Sequence, residues 1–255
     1  MEKLPGGRAG VYRANNHVIR PANETTPLLH RLLNHLHQQG FHHCPKPIAI
    51  DSEHERLSFL EGRVYNYPLQ GHIASKRALI SAARLLRQMH DVSVSFVDGL
   101  GGNENWILPV RVPTEVICHG DFAPYNLVLN GEEAVGIIDF DTAHPAPRTW
   151  DLAYALYCWA PFKTHAFDKL GSLNEQIDRA GIFCEAYGVT KDALCVLPDV
   201  MIDRLEALVS FMKSEADKGN EAFQKNLDDG HHLAYEKDIQ YISQNKQKIL
   251  TYLSK

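Results

Sequence analysis

Up to Gly62 the chain alternates short apolar and polar blocks; beyond it, apolar residues recur three and four positions apart. The first pattern is that of half-buried strands, the second that of amphipathic helices. Val11-Tyr12-Arg13 and His17-Val18-Ile19-Arg20 read as two strands joined by a tight turn at Asn15-Asn16. Thr25 and Pro27 mark a helix start: a capping hydroxyl, then a residue whose missing N–H costs nothing in the first turn. Leu28, Leu29, Leu32, Leu33 and Leu36 repeat at helical spacing until Gly40. Ile48-Ala49-Ile50 and the stretch from Arg56 to Leu60 read as two more strands around the polar turn Asp51-Ser52-Glu53. Leu79, Ala82, Ala83, Leu85, Leu86 and Met89 mark one long amphipathic helix. Val116-Ile117-Cys118, Leu127-Val128-Leu129 and Val135-Gly136-Ile137-Ile138 are short apolar strands. Past Trp150 the pattern is helical, with breaks expected at Pro161, Gly188, Pro198 and Gly219. An α+β, two-lobed molecule is expected. Residues 1–62 would form a small antiparallel β-rich lobe with one helix, and 63–255 a larger, mostly helical one.

Composition narrows the class. Lys+Arg total 26 against 31 Asp+Glu, so the net charge is −5 with His neutral, an acidic balance that argues against a nucleic-acid partner. No apolar run reaches the ~18 residues of a spanning helix, and the opening MEKLPGGRAG has no apolar signal core. The five cysteines are scattered, odd in number and without a C-x-x-C, as reduced thiols in a cytoplasmic protein would be. No membrane association is expected.

The chemistry concentrates in His119-Gly120-Asp121-Phe122-Ala123-Pro124-Tyr125-Asn126 and Ile137-Ile138-Asp139-Phe140-Asp141. Asn130-Gly131 between them is a strong hairpin signal. Folding that hairpin brings Asn126, just before the outgoing strand, beside Asp139, just after the returning one. An amide oxygen and a carboxylate at one point suit Mg²⁺, which completes its shell with water and phosphate oxygens. Asp121, in the loop feeding the hairpin, can face the same point and accept a hydrogen bond from a substrate hydroxyl. Such a set suggests phosphoryl transfer, a reaction that needs positioning and charge neutralisation above all.

His119 to Asn126 matches the H-G-D-x-x-x-x-N pattern of the aminoglycoside phosphotransferase family, small-molecule relatives of protein kinases. Ile138-Asp139-Phe140-Asp141 resembles that family's second metal motif, and Trp150-Asp151-Leu152-Ala153-Tyr154 the helix that follows it. Leu86-Arg87-Gln88-Met89-His90-Asp91 and the junction Phe59-Leu60-Glu61-Gly62 are similar to it as well. The resemblance implies a protein-kinase-like fold and an ATP- (or GTP-) and Mg²⁺-dependent transfer of phosphate to a small-molecule hydroxyl. It implies that Asp121 is the catalytic base, that Asn126 and Asp139 are metal ligands, and that the backbone of Phe59, Leu60, Glu61 and Gly62 holds the nucleotide base. The glycine turn with Gly6 and Gly7 would cover phosphates, although G-G-x-x-G is a short form of the kinase loop. The usual phosphate-binding Lys is expected after Val18-Ile19, where this chain has Arg20. The helix after Pro27 has no acidic residue to pair with that cation, which leaves Glu24 as the substitute. His119 is expected to support the loop, Asp151 to cap its helix or brace the loop, and Asp141 to assist the metal or stand behind it. The competing reading is a catalytically silent nucleotide-binding module.

Other features have plainer readings. His35, His37, His42, His43 and Cys44 fit no standard zinc spacing and read as a solvated cluster. Trp150, Tyr154, Tyr157 and Trp159 read as core. From Asp203 to Glu236 eight acids face four bases, first of all a solvated helical surface. A cationic acceptor such as an amino sugar or quaternary amine would also suit that face, with Asp228 and Asp229 as its candidate contacts.

Overall fold

The computed structural model describes residues 1–4 and 10–253, so the turn bearing Gly6 and Gly7 lies outside the described residues. Strands β1 (Glu2–Lys3), β2 (Tyr12–Ala14), β3 (His17–Pro21), β4 (Pro47–Ile50) and β5 (His54–Ser58) form an antiparallel sheet in the order β1-β2-β3-β5-β4. The β2–β3 turn needs a left-handed residue, and Asn15 supplies it with φ 54°. Helix α1 (Thr26–Gln38) buries Leu28, Leu29, Leu32, Leu33 and Leu36. Its start is capped differently from the expectation. Thr25 already has helical backbone angles and makes no side-chain cap; Asn23 Oδ1 instead accepts from the Thr25 and Thr26 amides at 2.9 and 3.1 Å.

Beyond Gly62 come β6 (Arg63–Val64), β7 (Val116–Cys118), β8 (Leu127–Asn130), β9 (Glu133–Ile137) and β10 (His144–Ala146). They pair as a β6-β8-β9 sheet and a β10-β7 ribbon. Helices α2 (Lys76–Asp98), α3 (Arg148–Trp159), α4 (Leu173–Tyr187), α5 (Lys191–Asp217), α6 (Glu221–Asp228) and α7 (His231–Leu253) make up most of the rest. No described helix is long and apolar enough to cross a membrane. Gly188 closes α4 in the left-handed conformation, as its position suggests. Pro198 does not break the chain: α5 runs straight through it. Proline forfeits the bond to the Leu194 carbonyl, but Pro198, Leu197, Met201 and Leu205 are all buried, and packing of that face outweighs one lost hydrogen bond.

One apolar cluster runs through both lobes. It joins Leu32 and Leu36 of α1, Leu79, Leu86 and Met89 of α2, Phe122 of the loop after β7, and Tyr157 and Trp159 of α3. That loop is therefore wedged into core rather than draped over it. Gly120 shows how tight the wedge is. Its φ is +81°, and a Cβ there would lie 2.3 Å from the Thr142 carbonyl oxygen. Gly120→Ala meets both a strained backbone and an immovable neighbour, so its melting temperature should fall by ~5 °C or more, read by circular dichroism.

Candidate active site

The hairpin does bring the two expected metal ligands together. β8 and β9 turn over a two-residue loop whose first residue, Gly131, has positive φ. At the open end the Ile138 amide donates to the Asn126 carbonyl at 2.9 Å, so Asp139 follows directly beside Asn126. A single 3₁₀ turn, Pro124–Asn126, feeds the hairpin and keeps Asp121 near its end. Asn126 Nδ2 donates to the Asp121 carbonyl at 3.0 Å and to Asp121 Oδ2 at 2.9 Å. That fixes the amide's orientation and leaves its Oδ1 as the acceptor, the atom a hard cation needs. Asp139 sits in the left-handed region (φ 63°, ψ 66°), a strained state that recurs at functional sites, and its side chain remains 46% exposed. These oxygens suit Mg²⁺.

Asp121 is the more buried carboxylate. Tyr125 O–H donates to its Oδ1 at 2.8 Å. Burial raises its pKa above the ordinary value, the neighbouring Asp139 charge adds to that, and Tyr125, His119 and Arg204 only partly offset the two. A carboxylate made more basic in this way is a better proton acceptor.

Asp151, on the first turn of α3 and fully buried, braces the loop instead of capping its own helix. It accepts from the His119 and Gly120 amides at 2.7 and 3.0 Å and from His90 Nε2 at 3.0 Å. Burial alone would push its pKa up, but the hydrogen bonds it accepts from His90 and from the His119 amide outweigh burial and hold it at about 2. Tyr187 O–H donates to the other nitrogen of His90 at 2.7 Å. Burial pushes the His90 pKa down, so the ring is neutral with its proton on Nε2. His119 Nδ1 accepts from the Asp121 amide and its Nε2 donates to the Ile138 carbonyl at 2.9 Å, linking the Asp121 backbone to the residue before Asp139. His90, Cys118 and Asp151 also lie close enough to hold a metal, but those hydrogen bonds already consume both His90 nitrogens and both Asp151 oxygens.

Arg20 is where the structure departs furthest from expectation. It is 7% exposed and binds three carboxylates: Glu55 through Nε at 2.7 Å, Asp139 through Nη1 at 3.2 Å and Asp141 through Nη2 at 2.7 Å. Burial opposes its charge, but Asp141, Glu55 and Asp139 together push its pKa up. The counter-ion is not Glu24, which is exposed just before α1, but Glu55, paired directly opposite Arg20 in the β3–β5 ladder. Helix α1 contributes His30, whose Nε2 lies 2.8 Å from the second Glu55 oxygen. Asp141 thus stands behind the site on Arg20.

Of the junction residues, Phe59 donates its amide to the Asn16 carbonyl at 2.8 Å and lies under the Arg13 guanidinium, which also pairs with Glu61 at 2.5 Å. Leu60 packs on Gly136, and Gly62 (φ +146°) crosses so close to β8 that a Cβ would lie 2.5 Å from Val128. A cavity of about 710 Å³ opens at Asp121 and Gly120. Trp150 and Tyr154 line it, although both are largely buried, while Tyr157 and Trp159 are core as expected. Asp228 and Asp229 are not brought to it: Asp228 accepts from Gln224 on α6, and Asp229 follows that helix. The histidines near α1 hold backbone carbonyls, with His37 on Cys44 and His43 on Val135.

Glu55, His90, Tyr125 and Arg204 escaped the sequence reading of the site. Two of them carried a signal: Tyr125 lies inside the motif four residues after Asp121, and His90 lies in the segment 86–91 that resembles the family.

The family model described as the phosphotransferase enzyme family matches residues 16–106 and 101–184. A trifolitoxin immunity protein from Rhizobium leguminosarum bv. trifolii is 28% identical over 203 residues, 73% of each chain. Among solved structures, a choline/ethanolamine kinase family protein from Mesorhizobium loti superposes with a TM-score of 0.60 at 13% identity, covering 99% of this chain and 92% of its own. A Plasmodium vivax ethanolamine kinase gives 0.56 at 14% over 78% and 70%. The streptomycin–ATP–APH(2″)-IIa ternary complex gives 0.53 at 14% over 87% and 89%. These likenesses show the protein-kinase-like small-molecule kinase fold.

Removing Arg20 leaves Glu55 buried with only His30, so Arg20→Ala should cost about 3 kcal/mol in denaturant unfolding, with Glu55→Gln in that background restoring part of it. The Asp151 carboxyl is depressed, so its stabilisation is complete above the unfolded value of about 4 and disappears as pH falls towards 2. Thermal melts should therefore show the deficit of Asp151→Asn narrowing between pH 6 and pH 3.

Proposed function

Because the chain belongs to the phosphotransferase enzyme family, whose members move a phosphoryl group to an acceptor hydroxyl, we propose that it uses ATP or GTP with Mg²⁺ to phosphorylate a small-molecule alcohol. The observation that carries this reading is the convergence of Asp121, Asn126 and Asp139 at the end of one hairpin, with Asp121 on the wall of a cavity of about 710 Å³. Asp121 accepts the hydrogen bond of the acceptor hydroxyl and aims its oxygen in line at the γ-phosphorus. As the new P–O bond forms and the bond to the β-phosphate bridging oxygen breaks, the hydroxyl proton passes to Asp121 and the nucleoside diphosphate leaves. Tyr125 and Asn126 hold the carboxylate for that task, one on each oxygen. Asn126 Oδ1 and Asp139 are the groups that would hold Mg²⁺, which supplies charge neutralisation on the phosphates. We assign Arg20 the orientation of Asp139 and Asp141 at the phosphate end of the cleft, and the backbone of Phe59 to Gly62 the nucleotide base.

The lobes divide this labour, 1–62 for the nucleotide and 63–255 for catalysis and acceptor. Ethanolamine and streptomycin, in the names of the structural neighbours, are both alcohols, in keeping with a small hydroxylated acceptor. The immunity named for the Rhizobium relative would follow from the same chemistry on a hydroxyl of a toxin.

ADP release from ATP and Mg²⁺ over a panel of alcohols tests the reading. Binding of nucleotide with no turnover on any acceptor would favour the silent module. Asp121→Asn should lower turnover by about 10²–10⁴-fold while sparing nucleotide binding. Because burial raises the Asp121 pKa, the ionised carboxylate costs folding stability at neutral pH, and the variant should melt no lower than the native chain. Native-like turnover in the variant removes the base assignment.

A further inference from the structure

The cavity beside Asp121 carries a charge pattern that phosphoryl transfer alone does not require. Arg111 lies with its guanidinium carbon 3.6 Å from the centre of the Trp150 ring. Arg204, from α5, lies 5.6 Å from the same ring and 4.6 Å from that of Tyr154. Two cations thus share one indole on the wall of the cavity that holds the base. Neither is neutralised by an ion pair among the described residues. Arg204 is only 5% exposed and donates through Nη2 to the Gly120 carbonyl at 2.6 Å, while its Nε is buried with no hydrogen-bond partner. A buried guanidinium N–H without an acceptor is costly, and it marks a place where an acceptor belongs.

The other charges in the cavity do not fill that place. Lys218 and Glu215 cancel each other at 2.8 Å. His144 is held near pKa 4 by burial and stays neutral. Asp121 accepts from Tyr125 and Asn126, which carry no charge, so its one carboxylate offsets only part of the two guanidinium charges. What remains is positive. Burial lowers the Arg111 pKa, the like charge of Arg204 lowers it further, and Asp203 alone acts the other way. The pair is also anchored. The Arg111 amide donates to the Pro145 carbonyl at 3.0 Å and the Glu115 amide to that of Ala146 at 3.2 Å, which lays this segment along β10. Arg204 grips Gly120, the residue next to Asp121.

We propose, building on the phosphotransferase reading above, that the acceptor alcohol carries an oxyanion, a carboxylate or phosphate, and that Arg111 and Arg204 receive it on the Trp150 wall. Forked N–H donors match a planar or tetrahedral oxyanion, and the aromatic floor keeps their edges free by occupying their faces. Because Arg204 reaches the residue beside the base, the oxyanion and the reacting hydroxyl are close together on the acceptor, as in a hydroxy acid or a sugar phosphate. The same two cations repel an amino alcohol.

Three alcohols with one phenyl body test this: 3-phenyllactate, 1-phenyl-1,2-ethanediol and 2-amino-1-phenylethanol. Binding is followed by calorimetry and tryptophan fluorescence, with and without ADP and Mg²⁺, and turnover by ADP release. The carboxylate should bind about tenfold or more tighter than the diol, with the amine weakest, and inorganic phosphate should displace the carboxylate. Arg111→Gln should erase most of that preference and Arg111→Lys only part of it, with melting curves confirming that each variant folds. Equal binding of the three, no binding of any, tighter binding of the amine, or a preference that survives Arg111→Gln overturns the proposal. The two readings fail separately. A carboxylate preference without phosphorylation of any alcohol would remove the enzyme's proposed reaction and keep the subsite; turnover of amino alcohols alone would do the reverse.

Discussion

One buried carboxylate holds the working parts in register. Asp151 has no solvent, yet it is ionised, because the His119 and Gly120 amides and His90 together offer it more than burial takes away. Those two amides belong to the residues just before Asp121. The Gly120 carbonyl is gripped from the other side by Arg204, and the His119 carbonyl accepts from Thr142. The loop is thus pinned through consecutive peptide groups, and its φ of +81° at Gly120 persists because its neighbours leave no alternative. His119 then passes the constraint across the hairpin to Ile138, so Asp121 and Asp139 are tied to one scaffold. A reacting group displaced by an ångström loses most of its effect, and this bracing holds Asp121 in place.

Legibility in the sequence followed the range of the interaction. The spacing from Asp121 to Asn126 and the Asn130-Gly131 signal are local, and a hairpin has few ways to close, so Asp139 could be put beside Asn126 before any coordinates. Glu55 could not. It faces Arg20 across two strands separated in sequence by α1 and β4, and that register depends on how those pieces pack. The helix supplies His30 and the sheet supplies the acid. Pro198 misled for a related reason: a local breaker was outweighed by the burial of its helix face. Trp150 and Tyr154 read as core, and they are nearly buried, but a side chain can be mostly buried and still present one edge to a cavity wall.

The cluster around Arg20 explains why an arginine can stand where lysine is usual. A lysine ammonium is a compact point charge, whereas the guanidinium presents separate N–H edges in a fixed plane. Here each edge has its own carboxylate: Nε takes Glu55 from the sheet, Nη1 takes Asp139 and Nη2 takes Asp141 from the turn after β9. Three acids around one buried cation would be an excess of negative charge if the site ended there. Asp139 is the most exposed of the three, and it is the one beside the free Asn126 oxygen. The surplus charge therefore sits where the proposed reaction would place a divalent cation, and Arg20 fixes its position without cancelling it. An ammonium at the same place could neutralise one carboxylate but could not dictate the directions of three. What Arg20 does here is shape the acid cluster, a task in which its forked geometry, and not only its charge, is what matters.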